Sequence, residues 1–265
     1  MKSYLILLLA AFTLTSCEKV IDLDLSTAGT QVVIEGTVSN QLTPWTVRVS
    51  QSSGFHENGG GPVIPNATVS IAISGINSPE SLTYAGNGLY QSRPLRGEPG
   101  RTYTLTVAAN GRTYVAVSTM PAVVPIKRVM LENQPVGGPV SYAEFTDPAG
   151  VKNYYRWVLY VNDQPRRDLF VLDDRLYSGV VNVRQALSIL DGPGTNAQTD
   201  KLKPGDRVTV EMQSVDQGVY TYLAGLLQLL IGDAATPANP TSNLSGGALG
   251  YFSAHSSTRQ TTIVP

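Results

Sequence analysis

The chain has 265 residues, a formal net charge of −1 and only 15% charged residues, so it carries no basic field that would gather nucleic acid or anionic lipid. Its one cysteine, Cys17, leaves no pair for a disulfide and no thiolate cluster for zinc. Gly 25, Pro 17 and Tyr 13, with many Val and Thr, favour short strands separated by turns over long helices.

Residues 1–16 read as a signal peptide. Lys2 supplies a positive start, residues 4–14 an apolar stretch, and Thr15 and Ser16 are small residues ahead of Cys17. A lipoprotein signal peptidase requires a cysteine there, because the diacylglyceryl group is carried on sulfur and cleavage makes Cys17 the acylated N-terminus. The apolar stretch falls short of the ~20 residues that cross a bilayer. The expectation is therefore a membrane partner reached through an N-terminal lipid, with the remainder soluble. Residues 17–29 are polar and acidic (Glu18, Asp22, Asp24) and read as a tether. An acidic stretch after a lipidated cysteine resembles signals that place some lipoproteins on the outer face of the outer membrane; a plain solvated linker is the alternative.

A first domain is expected over 30–122. Val32, Ile34, Gly36 and Val38 share one strand face, as do Trp45, Val47 and Val49 in a second strand. Ala67, Val69, Ile71 and Ile73 form a third such face, and Tyr103, Leu105 and Val107 a fourth. Asn110-Gly111 predicts a hairpin, because both residues tolerate positive φ. The segment 52–65, with four glycines and two prolines, predicts a long loop. Asn66-Ala67-Thr68-Val69, Gly88-Leu89-Tyr90 and the run from Gly100 to Leu105 make this domain similar to carboxypeptidase-regulatory and transthyretin-like sandwiches.

Pro121 and Pro125 bracket a linker, and a second domain is expected over 126–265. Residues 154–161 (YYRWVLYV) are apolar on both faces and predict a central strand. Lys203-Pro204-Gly205-Asp206 predicts a turn into a strand with Val208, Val210 and Met212 inward. Asp216 caps a predicted helix over 217–231, where Tyr220, Leu223, Leu227 and Leu230 make one apolar stripe and Gly232 the stop. Packing on the domain is the expected use of that stripe; a membrane or partner groove is the alternative. The predicted fold is all-β: two β-sandwich domains, Ig-like or transthyretin-like, the second with one packed amphipathic helix.

Catalytic signatures are sparse. His56 and His255 have no neighbouring His or Cys at zinc spacing and are expected in exposed loops. No G-x-S-x-G occurs. Glu144, Asp147, Asp173, Asp174 and Asp191 are the carboxylates a glycan-acting site would draw on. Asp173 and Asp174 are adjacent, so on a strand they point to opposite faces. Turn chemistry is their expected role and metal ligation a weaker one. No cofactor is implied. Gly246, Gly247 and Gly250 suggest a close backbone approach at a sheet corner. The aromatics concentrated in the second domain suggest a binding surface, for which Tyr177, Tyr251 and Phe252 are the candidates.

Four segments together resemble the domain of unknown function 4249 family of outer-membrane lipoproteins. They are Cys17-Glu18-Lys19-Val20-Ile21-Asp22-Leu23-Asp24, residues 170–179 (FVLDDRLYSG), 202–208 (LKPGDRV) and 240–254 (PTSNLSGGALGYFSA). The resemblance implies a non-catalytic accessory to a TonB-dependent receptor in nutrient capture or uptake, with no catalytic residue to carry over. A structural or adhesive surface lipoprotein and a carboxylate-dependent glycan-acting enzyme are the other readings.

Overall fold

A computed structural model describes residues 30–53, 61–134, 138–166, 168–175, 177–180, 182–187, 202–232 and 238–265. The signal peptide, the tether with Cys17, His56 and Asp191 lie outside the described residues.

Seven strands open the fold: β1 (Val32–Ser39), β2 (Thr43–Gln51), β3 (Thr68–Ile73), β4 (Glu80–Gly86), β5 (Leu89–Leu95), β6 (Thr102–Ala109) and β7 (Arg112–Thr119). β1, β2, β3 and β6 alternate apolar and polar residues, and the apolar set turns inward: Ile34, Val38, Trp45, Val47, Val49, Val69, Ile71, Leu105 and Val107 are all buried in one core. Full burial of each such aliphatic side chain stabilises the fold by roughly 1.5–3 kcal/mol. The Asn110-Gly111 hairpin forms as expected. Its two residues sit at φ 52° and 73°, and β6 and β7 pair through Ala109↔Arg112. Asn87-Gly88, at φ 50° and 74°, makes the same kind of turn between β4 and β5.

The later strands are β8 (Ile126–Gln134), β9 (Gly138–Phe145), β10 (Tyr154–Val161), β11 (Gln164–Pro165), β12 (Phe170–Asp173), β13 (Val183–Leu187), β14 (Arg207–Val215) and β15 (Leu249–Ile263). β8, β9 and β13 form a three-stranded sheet. It supplies Ile126, Ala143, Phe145, Val183 and Leu187 to a second core, which Tyr155, Trp157, Leu159, Val208, Val210 and Met212 complete from β10 and β14. Strand 154–161 is central as predicted, with β14 on one edge and β11 and β12 on the other. The chain is thus all-β, with two sheets in sandwich-like packing and a single helix among the described residues.

The fifteen-residue β15 joins the two cores. Its first half runs parallel to β1, from Val33↔Leu249 to Ser39↔His255, and puts Phe252 and Ala254 into the first core. Its second half pairs antiparallel with β14, and the following Val264 enters the second core. Two glycines make the parallel contact possible. A Cβ at Gly36 would stand 2.9 Å from the Phe252 ring, and one at Gly250 would stand 2.1 Å from the Ile34 carbonyl oxygen. Gly250 is therefore the close backbone approach expected of the glycine-rich corner.

The helix α1 (Gln217–Leu230) begins where predicted. Asp216 accepts from the Val219 amide as its N-cap, and the helix rests on β10, β12 and β15. The expected apolar stripe is only partly buried. Of its four residues only Leu223 is buried, next to Val219 from outside the stripe; Tyr220 and Leu227 are half-buried and Leu230 is 56% exposed. The sheet supports the first two turns, and beyond it the helix faces residues 238–241 instead.

Candidate functional site

β10, β14 and β15 turn one face to the second core and the other to α1. Register and alternation place Tyr154, Arg156 and Tyr160 on that second face, beside Glu211, Gln213 and Val215 of β14 and His255, Ser257 and Arg259 of β15. It holds a buried polar network. The Glu211 carboxylate accepts from Arg259 Nε at 2.8 Å, from the Tyr160 hydroxyl at 3.0 Å and from Gln213 Nε2 at 2.9 Å. Burial alone would raise its pKa, but the hydrogen bond from Gln213 and the charge and hydrogen bond of Arg259 prevail and hold it below the usual carboxylate range. Arg156 reaches Gln213 and the Tyr251 hydroxyl only at 3.5 Å, and its buried Nε has no partner among the described residues. Burial pushes His255 down to about 4, against the attraction of Glu211, so the ring is neutral near pH 7.

Where α1 crosses this face, aromatics replace the charges. Tyr154 lies against Tyr220 with ring centroids 4.8 Å apart, and Tyr222 stacks on Tyr251 at 5.1 Å. Tyr220 then separates two clefts. One, of about 430 Å³, lies between Tyr220 and the segment from Val171 to Tyr177 and contains Asp173 and Arg175. The other, of about 410 Å³, runs along α1 past Thr221, Gly225 and Gln228 and is closed by residues 238–241. Asp173 accepts from Arg175 Nε at 2.7 Å and from the Tyr220 hydroxyl at 3.4 Å. Partial burial opposes ionisation of Asp173, but the hydrogen bonds and charge of Arg175 outweigh it and hold the carboxyl below its ordinary value. Burial, and after it the nearby Asp173 charge, raises the pKa of both Tyr177 and Tyr220, so both hydroxyls stay protonated at neutral pH.

The structure sorts the candidate residues. Tyr177 lines the first cleft, and Tyr251 is half-buried under Tyr222. Phe252 offers no binding edge: it is fully buried in the first core, because it faces Gly36 across the β1–β15 pair. His255 is likewise no loop residue but a buried strand residue, 5% exposed, with Ser253 Oγ 3.3 Å from its Nδ1. Asp173 ends β12, and Asp174 opens the turn expected there, its carbonyl accepting from the amides of Tyr177 and Ser178. Its side chain accepts from the Asn153 amide at 2.9 Å. Asp147 is buried and accepts from Tyr155 and from the Gly179 amide, and Glu144 pairs with Arg128. Among the described residues no three His, Cys, Asp or Glu side chains gather as metal ligands.

Glu211, Gln213, Arg156 and Arg175 escaped the sequence reading. The alternation that sends Val208, Val210 and Met212 inward places Glu211 and Gln213 outward, where charged residues are ordinarily solvated. Only the folded structure shows that they are buried, Glu211 among Arg259, Tyr160 and Gln213. A usable signal existed for Arg175, which follows an aspartate pair within the aromatic segment 170–179.

No curated protein matches the chain. Among solved structures, a segment of two fibronectin type-III domains from chicken tenascin is similar at 13% identity, covering 70% of this chain and 90% of its own, with a TM-score of 0.21. The family model described as domain of unknown function (DUF4249) matches residues 18–261, and the chain belongs to that family.

Proposed function

We propose that the protein is a non-catalytic binding lipoprotein, held in the outer membrane by a lipid on Cys17 and facing the cell surface, that assists a TonB-dependent receptor in nutrient capture or uptake. Its two sandwich-like units, taken as Ig-like or transthyretin-like domains over 30–122 and 126–265, form the frame, and the clefts beside α1 are the contact surface. The observation that supports binding over turnover is the state of the carboxylates. A glycan-cleaving pair needs one carboxyl raised to serve as an acid and a second free to act as base or nucleophile. Here Asp173 is held low by Arg175, while Asp147, Asp174 and Glu144 are each engaged by donors that stitch turns and strands.

The test is a native purification after gentle crosslinking in the source membranes, with metabolic labelling by a palmitate analogue. Label on the wild-type chain, its loss in Cys17→Ala, and a stoichiometric β-barrel receptor in the eluate are the expected results. A labelled protein that repeatedly purifies alone would defeat the accessory role. An unlabelled one would defeat the anchor.

A further inference from the structure

The two clefts adjoin at Tyr220, which lines both. On α1 the lining positions 220, 224 and 228 and their neighbours 221, 225 and 229 fall at intervals of four, two adjacent stripes that follow the helix for about 13 Å. A ligand that fills both clefts is thus elongated. Its charge is constrained as well. Among the described residues the cleft along α1 has no charged side chain in its lining, and in the other the charges of Asp173 and Arg175 cancel. An ionic ligand would lose water there without meeting an uncompensated opposite charge. A purely apolar one would strip water from Gln228, Asn239 and Thr241, which are exposed and carry donors and acceptors. Tyrosine supplies what remains, a flat apolar face with a hydroxyl at its tip.

Gly225 is a second, independent observation. Glycine in mid-helix weakens the helix relative to alanine. Here an added methyl would close the remaining gap to the facing wall, because a Cβ at this position would stand 3.4 Å from Pro240 Cβ, at van der Waals contact.

We propose that this groove binds a neutral, linear oligosaccharide, with sugar rings in both clefts and the chain crossing Tyr220. The assignment deepens the binding role given above and rests on it, naming the chemical class of the cargo. C–H faces of the rings pack on Tyr220 and Tyr177, and ring hydroxyls exchange hydrogen bonds with Gln228, Asn239 and the Asp173–Arg175 pair.

The experiment is calorimetric titration of the detergent-solubilised full-length lipoprotein with maltohexaose, laminarihexaose, cellohexaose and xylohexaose as neutral probes. Hexagalacturonate serves as the acidic probe and an unstructured neutral peptide as the control. Saturable binding of at least one neutral probe is expected, weakened by about ten-fold or more in Tyr220→Ala and in Gln228→Ala. Gly225→Ala guards against misfolding as the explanation: it should melt no lower than wild type and yet bind the same probe less tightly. The proposal is overturned if a cooperatively folded protein binds none of the neutral probes. It is equally overturned if hexagalacturonate or the peptide binds more tightly, or if the variants bind as wild type. Co-purification of a barrel receptor without sugar binding sinks the ligand class alone, whereas sugar binding without a receptor sinks the partner and supports the groove.

Discussion

The two units of this chain are built alike on the inside and differently on the outside. Each core is anchored by a tryptophan from one strand, Trp45 in β2 and Trp157 in β10, and each of these buried indole N–H groups has no hydrogen-bond partner among the described residues. Outside the first core, short hydroxyl side chains meet across neighbouring strands, as in Thr37–Thr46 and Thr102–Thr119, both at 2.9 Å. Outside the second, beside one such pair, Thr209–Thr261 at 2.8 Å, long side chains take most of those positions: Tyr154, Arg156, Tyr160, Glu211 and Arg259, with α1 laid over one end. A face of short side chains completes its bonds within the sheet. Long ones leave space between them, and both clefts open beside the helix that crosses one end of this face.

The comparison breaks most completely at β15, which both units share. In Gly250→Val the new side chain meets the Ile34 carbonyl at a position whose φ is +94°, so strain adds to the clash. A loss of about 3–5 kcal/mol in urea unfolding is expected, in the upper tail for single substitutions, where overpacking and strain at a special φ/ψ combine. Because β15 also pairs with β14, fluorescence of Trp45 and Trp157, read in single-tryptophan variants, should shift to lower urea together. A shift confined to Trp45 would show that the units are stable independently of their common strand.

Acid sharpens the contrast. The folded value of His255, about 4, lies below its ordinary 6.5, so between these limits the unfolded chain binds a proton that the folded chain refuses. Stability is then complete above about pH 6.5 and falls as pH drops toward 4, by an amount on the order of 3 kcal/mol. Glu211, held low by Gln213 and Arg259, adds a loss at still lower pH, as it protonates below its ordinary 4.5. Urea unfolding of wild type and His255→Gln near pH 7 and near pH 5 checks this. The variant should lose less between the two pH values, and equal slopes would remove His255 as the cause.

Much of this arrangement was legible in the sequence. The buried faces of β1, β2, β3, β6, β10 and β14 follow from alternation, since period-two patterning is a local property. Asn110-Gly111 and the Asp216 cap are equally local and came out as read. The parallel pairing of β1 with β15 was not legible, because it joins residues some two hundred positions apart and nothing in the Ser- and Thr-rich second half of β15 marks it as a shared strand. The inward turn of Phe252 depends on that pairing, through Gly36 opposite it. Burial of Glu211 and His255 depends on what covers the sheet, which alternation does not encode. The helix was found, and the overhang of its second half was not, because the sheet edge beneath it is set by tertiary packing.

Asp216 tests the smallest of these differences, the joint at which the helix of the second unit touches the first. One carboxylate oxygen caps α1 through the Val219 amide. The other accepts from the Ser118 hydroxyl and the Thr119 amide at the end of β7, and Ser118 in turn accepts from the Ala254 amide of β15. Asp216→Ala removes the cap and the bridge together and should cost about 1–2 kcal/mol, the upper part of the range for a lost N-cap. Asp216→Asn separates the two roles, because an amide keeps one accepting oxygen for the Val219 N–H and presents an NH₂, unable to accept, toward Ser118 and Thr119. If the bridge between units matters, Asn should recover only part of the loss by urea unfolding, and amide exchange at Thr119 should quicken while that at Val219 does not. Full recovery in Asn would mean that the helix needs its cap and the two units need no such tie.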